Sequence, residues 1–239
     1  IVDGITSDGG RAWEVKDKFV RRFCAVQHLA RSAARAFNDK MNEIPALDPE
    51  TARVSFLDCS VYYLTNENDE ESAVIVERKL EGKFRKWNSN NGWHNGQDTP
   101  NSYPLETITE SAADEANGRN NESPIDVDGS NIFVTHDEVA QAFSHFSYIH
   151  SGKKMLICDL QGVYDNTDKL LRFTDPVIHY HDIKKKEKRG VCGRTDLGQK
   201  GIWGFFRTHR CNGLCDLVTK GFITPTESSF KRRKVCIRP

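Results

Sequence analysis

Near the end of this chain, three metal-binding side chains fall within seven residues, in His209-Arg-Cys211-Asn-Gly-Leu-Cys215. An imidazole and two thiols at that spacing can grip one ion, and Zn²⁺ takes nitrogen and sulfur ligands at the corners of a tetrahedron. One corner is left for a group from elsewhere. If a protein side chain fills it, the metal staples distant parts of the fold together; if water fills it, the metal can act in catalysis.

Composition narrows the field. Of 239 residues, 37% are hydrophobic and 28% charged, as in a soluble protein built as one large domain or two small lobes. The formal net charge of zero gives no electrostatic push toward nucleic acid or an anionic membrane, and no apolar run is long enough to span one. The seven cysteines are odd in number and scattered, apart from the 211/215 pair. That pattern argues against a secreted disulfide framework and for a reducing compartment such as the cytoplasm.

Along the chain, strand-like pieces at 11–15, 54–57 and 61–64 surround a helix predicted over about 19–41. Apolar positions at Phe23, Val26, Ala30, Ala33, Ala34 and Phe37 recur at spacings of three and four and give that helix one buried face. Val74-Ile-Val76 reads as a further strand. Residues from about 94 to 129 are rich in Asn, Asp, Glu, Ser and Gly and predict a disordered insertion. Thr135-His-Asp-Glu138 is a capping box ahead of a helix carrying Val139, Phe143 and Phe146. Met155-Leu-Ile-Cys158 predicts a buried strand ending at Asp159. A lysine-bearing irregular stretch at 182–189 and a Gly-rich loop at 193–201 then lead into a final helix predicted at 202–208.

Asp159 therefore stands at a strand end, with Gln161 and Gly162 beside it and a second carboxylate in Phe173-Thr174-Asp175-Pro176. Two converging carboxylates and an amide suit two jobs: holding Mg²⁺ against phosphate oxygens, and orienting or deprotonating a hydroxyl. Oxygen donors suit Mg²⁺ and the His/Cys set suits Zn²⁺, so the chain asks for two different metals. Lys16, after Trp13-Glu14-Val15 on an early predicted strand, reads on its own as a solvated lysine and beside a nucleotide as a phosphate contact. The basic runs at 184–189 and 231–234 read as solvated loop and tail.

Four stretches in order resemble the alpha-kinases, the atypical protein kinase family that includes elongation-factor-2, myosin-heavy-chain and channel-fused kinases. They are Glu81-Gly-Lys-Phe-Arg-Lys-Trp-Asn-Ser-Asn90; Ala142-Phe-Ser-His145 followed by Cys158-Asp-Leu-Gln-Gly162; Thr174-Asp-Pro176; and residues 193–215. Gln27-His-Leu-Ala30 and Ala36-Phe-Asn38 also fit the family's N-terminal lobe, whereas the His-Arg-Asp and Asp-Phe-Gly motifs of ordinary protein kinases are absent.

The resemblance implies a two-lobed α+β kinase-like fold, with an N-lobe at 1–76 and a hinge plus zinc-containing C-lobe at 77–239. It implies Asp159 as the catalytic aspartate, Lys16 as the lysine that meets the ATP phosphates, and Glu77 and Lys79 at the adenine-reading hinge. Gln161 and Asp175 become Mg²⁺ ligands. His145, which alone reads as a core histidine, becomes the fourth zinc ligand with His209, Cys211 and Cys215, closing the site so that the zinc is structural. The Gly-rich loop is linked to substrate engagement. The implied reaction moves the γ-phosphoryl of MgATP to Ser or Thr of a protein substrate, with no nucleic-acid or membrane partner; the second reading is a pseudokinase scaffold. Three departures from the family pattern stand out: a short stretch before Lys16, in which the glycine-containing strands that would cover the phosphates are poorly recognisable over 1–10; a long interval between Asp159 and Asp175, with 164–173 expected to loop out; and Asp196 where many members carry Asn.

Overall fold

A computed structural model describes residues 9–90, 132–182 and 190–219. Its first element, α1 (Gly9–Asn42), corrects one expectation: residues 11–15 are helix, not strand, so Lys16 lies on a helix. The reason is local. No Gly or Pro occurs between Arg11 and Asn42, so nothing halts a helix extending back from the packed part. A short apolar run does not by itself choose between strand and helix. Val26, Ala30, Ala33, Ala34, Phe37 and Met41 form the buried stripe.

The remaining elements make a mixed α+β domain. In chain order they are β1 (Arg53–Phe56), β2 (Cys59–Thr65), β3 (Glu71–Glu77), β4 (Arg85–Lys86), α2 (His136–His150), β5 (Met155–Cys158), β6 (Gln161–Asp165), β7 (Leu170–Thr174), β8 (Val177–Tyr180), α3 (Gln199–Thr208) and α4 (Gly213–Thr219). The helix predicted to be final is followed by α4. The expected insertion at 94–129 and both basic runs lie outside the described residues.

Three sheets organise these strands. β2 and β3 form an antiparallel ribbon, β5 pairs with β8, and a four-stranded sheet runs β1-β7-β6-β4. In that sheet β1 lies parallel to β7, so strands from both sides of position 76 share one hydrogen-bonded ladder. The other edge of β1 is not left open to solvent: the Asn38 amide donates to Val54 O at 2.9 Å and accepts from Val54 N at 3.0 Å, docking α1 against the strand. Behind the sheet, Phe37, Phe143, Phe56, Phe173 and Trp87 form a chain of rings in edge-on and tilted contact, with centroids 5.3–5.7 Å apart. Five such rings dominate the core, each burying a large apolar area with a preferred geometry.

The capping box at α2 is present as expected. The Thr135 side chain accepts from Glu138 N, and Glu138 reaches back to Thr135 N at 2.8 Å. From its far end Ser147 Oγ accepts from Ile157 N at 2.9 Å, locking α2 directly to β5 two residues before Asp159.

Candidate active site and metal centre

The stretch 155–180 is one long hairpin with a matched gap in both arms. Met155 opposes Tyr180, Cys158 opposes Val177, Gln161 opposes Thr174 and Asp165 opposes Leu170, an unbroken register. Only Asp159-Leu160 on one arm and Asp175-Pro176 on the other fall outside the ladders. The expectation that 164–173 loops out is thereby corrected: most of it is paired in β6 and β7, and the seventeen residues from Asp159 to Asp175 run up one arm and down the other. The two aspartates meet because they interrupt the hairpin at the same level.

Both interruptions bend sharply. Asp159 has φ +60° and Asp175 φ +46°, in a left-handed region that non-glycine residues seldom enter and aspartate enters more readily than most. Such conformations cost free energy and gather at functional sites. Neighbours hold the first bend in place. Trp87 N donates to Leu160 O at 2.8 Å, and the buried Asn88 accepts from Leu160 N at 3.0 Å while donating to Ser144 Oγ at 3.0 Å. Gly162 is needed for the close approach that follows, because a Cβ there would lie 1.9 Å from Arg172 O.

Sequence reasoning missed the principal cation. Lys86 Nζ lies 2.6 Å from Asp159 Oδ1. Its position follows from register: Lys86 opposes Gln161 and Gln161 opposes Thr174, so the three form a row across β4, β6 and β7. Glu77 closes the row, its carboxylate accepting from Thr174 Oγ1 and from Gln27 Nε2 on α1. Lys79, just past β3, is exposed. Burial first, then the Asp159 charge, pushes the Asp175 carboxyl above its ordinary value, with Lys86 partly offsetting them. Two carboxylates, an amide and an ammonium group thus converge, an arrangement able to hold a hard divalent cation and to orient a hydroxyl.

The Gly-rich loop is anchored to β8 behind this site. Asp196 is buried, and its carboxylate accepts from Tyr180 N at 3.0 Å, Gly198 N at 2.8 Å and Cys192 N at 3.0 Å. Its charge is therefore spent on backbone donors. His179 accepts from Leu197 N at Nδ1 (3.1 Å), which leaves Nε2–H to donate to Asn90 O at 2.8 Å. Gly201 packs on that ring, since a Cβ would come within 2.3 Å of it.

The four expected metal ligands do come together. His145 lies in α2, His209 caps the C-terminus of α3, and Cys215 sits in the first turn of α4, with Cys211 between them. Asn212 accepts from Cys215 N at 2.9 Å and donates to Glu138 O at 3.0 Å, fixing α4 to the start of α2. His145 Nδ1 is 3.2 Å from His209 Nε2; Cys211 Sγ lies 3.6 Å from the first and 3.7 Å from the second, and Cys215 Sγ lies 3.6 Å from His209 Nε2. Tetrahedral Zn²⁺ at normal bond lengths predicts edges of about 3.3 Å between nitrogens and about 3.6 Å between nitrogen and sulfur. The donor set fits that ion. Burial, with the His209 charge, holds His145 down to about 4; a hydrogen bond from Cys215, then His209, brings Cys211 down to about 3, while that same hydrogen bond and burial push Cys215 up. Thiolates are the form that binds metal, so an ion entering here would displace the Cys215 proton.

Comparison with known proteins gives a consistent picture. Residues 6–110 and 119–215 match the alpha-kinase family. Myosin heavy chain kinase B of Dictyostelium discoideum is 29% identical over 195 residues, 80% of this chain and 19% of that protein. The mouse transient receptor potential cation channel subfamily M member 6 is 30% identical over 203 residues, 84% of this chain and 8% of the channel. The chain thus spans less than a fifth of the length of these relatives. Among solved structures, the alpha-kinase domain of myosin-II heavy chain kinase A in complex with AMP-PNP aligns with a TM-score of 0.57 at 25% identity, covering 92% of this chain and 63% of that one. An inactive form of the same domain complexed with ATP aligns with a TM-score of 0.53 at 26% identity, covering 84% and 58%. With the family matched across most of its length and the paired aspartates on a kinase-domain fold, this chain belongs to the alpha-kinase family.

Proposed function

We propose that this domain transfers the γ-phosphoryl group of MgATP to a Ser or Thr hydroxyl of a protein substrate. The observation that carries the reading is the convergence of Asp159 and Asp175 at matched gaps in one hairpin, with Lys86 on the first of them. Asp175 and Gln161 would hold Mg²⁺, which, when bound, offsets charge on the phosphate oxygens. Asp159 orients the attacking hydroxyl and accepts its proton, while Lys86 keeps that carboxylate aimed and balances charge. Such transfer rests mainly on positioning and electrostatics rather than on covalent help from the protein. Glu77 and Lys79 stand where β3 gives way to the segment leading to Lys86, a location suited to backbone recognition of adenine.

His145, His209, Cys211 and Cys215 would hold a structural Zn²⁺. With all four positions filled by protein there is no place for an activated water, so these residues clamp α2, α3 and α4 together and take no part in the transfer.

The test is a radiolabel transfer assay on a generic basic protein substrate, comparing the chain with Asp159→Ala. Activity should fall on the order of a hundredfold or more, with the circular dichroism spectrum unchanged. Undiminished transfer by the variant overturns the assignment. A second reading, nucleotide binding without turnover, is favoured by one observation: Lys16 stands on α1 and not on a strand. Saturable ATP binding with no transfer in the unaltered chain would establish it.

A further inference from the structure

α1 presents a second row of functional groups, toward the β2–β3 ribbon. Cys24, Gln27 and Arg31 follow one another at spacings of three and four, so they share one helix face. Each meets a partner at the base of the ribbon. Cys24 faces Cys59 with the sulfurs 3.8 Å apart, Gln27 donates to Glu77, and Arg31 pairs with Asp58. Cys59 and Glu77 are themselves direct cross-strand partners. The two cysteines are half-buried and line a cleft of about 290 Å³ with Gln27, His28, Arg31 and Asp58, so small solutes reach them.

We propose that Cys24 and Cys59 form a peroxide-responsive thiol pair that closes to a reversible disulfide, pinning α1 to the base of the β2–β3 ribbon. This goes beyond the kinase reading and does not depend on it. Geometry carries the argument. The sulfurs are already in contact, and shortening 3.8 Å to a bond of about 2.05 Å asks each to move less than about 1 Å, within reach of side-chain rotation. The ion pair and the Gln27–Glu77 hydrogen bond on either side keep the two elements in register while the sulfurs move. The hydrogen bond runs from Cys59 to Cys24, which makes Cys59 the donor of the pair and Cys24 its acceptor. Burial, then that hydrogen bond, pushes Cys59 up to about 11, so Cys59 is the thiol that waits.

The chemistry balances as a two-electron oxidation. Cys24 thiolate attacks one oxygen of hydrogen peroxide, the O–O bond breaks, and hydroxide leaves and is protonated to water, giving the sulfenic acid. Cys59 then attacks the Cys24 sulfur, its proton leaving with the displaced hydroxide as a second water. Two thiols and one peroxide become one disulfide and two waters. A dithiol reductant reverses the bond by thiol exchange. A reversible bond of this kind suits a chain whose cysteine pattern points to a reducing compartment.

The experiment treats the full, zinc-loaded chain with one equivalent of hydrogen peroxide, blocks remaining thiols by alkylation, and maps peptides without reduction. We expect an intact mass lower by two hydrogens and one linked pair containing Cys24 and Cys59, lost on adding dithiol. Cys59→Ser should stop at a Cys24 sulfenic acid trapped by a carbon nucleophile, and Cys24→Ser should give no linkage at all. If the unaltered, folded chain forms no 24–59 linkage, or either residue proceeds to sulfinic acid without pairing, the proposal is wrong. The readout is chemical, so it stands whether or not the domain proves to be an active kinase.

Discussion

At the His/Cys cluster, four potential donors come from three helices and the turn between two of them, and three of the four are buried. At the carboxylate pair, two donors come from one hairpin, at bends with unfavourable backbone angles, and Asp159 remains 16% exposed and ion-paired to a half-exposed Lys86. The first arrangement concentrates ligands where packing is dense and closes around them. The second leaves ionised groups reachable and keeps one carboxyl reluctant to ionise. The two clusters are also physically linked: Ser147, two residues from His145, touches the strand that ends at the Asp159 bend, so the closed cluster steadies the more open one.

That contrast can be broken most severely at the His/Cys cluster. Under the proposed zinc site, Cys215→Ser removes a buried thiol of the cluster, and the thermal midpoint should drop by on the order of 10 °C or more, with loss of the bound zinc that the proposal expects in the unaltered chain. Calorimetry and elemental analysis read the two effects together. Loss of zinc with an unchanged midpoint would mean the cluster is not a staple. Gly162→Ala strikes the hairpin that aligns the carboxylates. Its new Cβ would collide with Arg172 O, and a chemical denaturation midpoint should report destabilisation of about 3 kcal/mol.

The smallest effect concerns Asp175. Because its folded value lies above that of the unfolded chain, the native state keeps a proton that the unfolded state has already released. This contribution to stability is therefore fully present below about 3.9, the ordinary aspartate value, and is lost as pH rises through the raised folded value. Asp175→Asn should be slightly more stable than the unaltered chain at pH 7, equal to it in acid, and inactive in transfer. Denaturation midpoints at the two pH values measure the difference, and a variant less stable at pH 7 would contradict the account.

How much of this was legible beforehand depended on distance along the chain. His209, Cys211 and Cys215 announce themselves within seven residues, and the capping box at Thr135 is a local pattern with a local cause. Asp159 and Asp175 could be picked out as strand-end carboxylates, but the gapped hairpin that joins them is a property of register, which no single stretch encodes. Lys86 and Asn88 lay in a segment recognised by resemblance yet carried no sign of their roles. Those roles arise only when β4 docks on β6 and the Asn88 amide reaches Leu160 N. Residues 11–15 went astray for the opposite reason, since a five-residue apolar pattern is compatible with either periodicity and the long helix behind it decided the matter.

The hairpin carries one more implication, for how such a domain tolerates changes in length. Because Asp159 and Asp175 are fixed at the gap below β6 and β7, the separation between them in sequence is free to vary while their separation in space is not. One residue added to each arm between the gap and the tip extends the hairpin outward and leaves both bends facing each other. One residue added to a single arm shifts the pairing by a step and turns every following side chain to the opposite face. Length changes in this interval should accordingly come in matched pairs or be confined to residues 166–169 at the tip, which makes that tip the natural place to insert a tag or a reporter without disturbing the chemistry below.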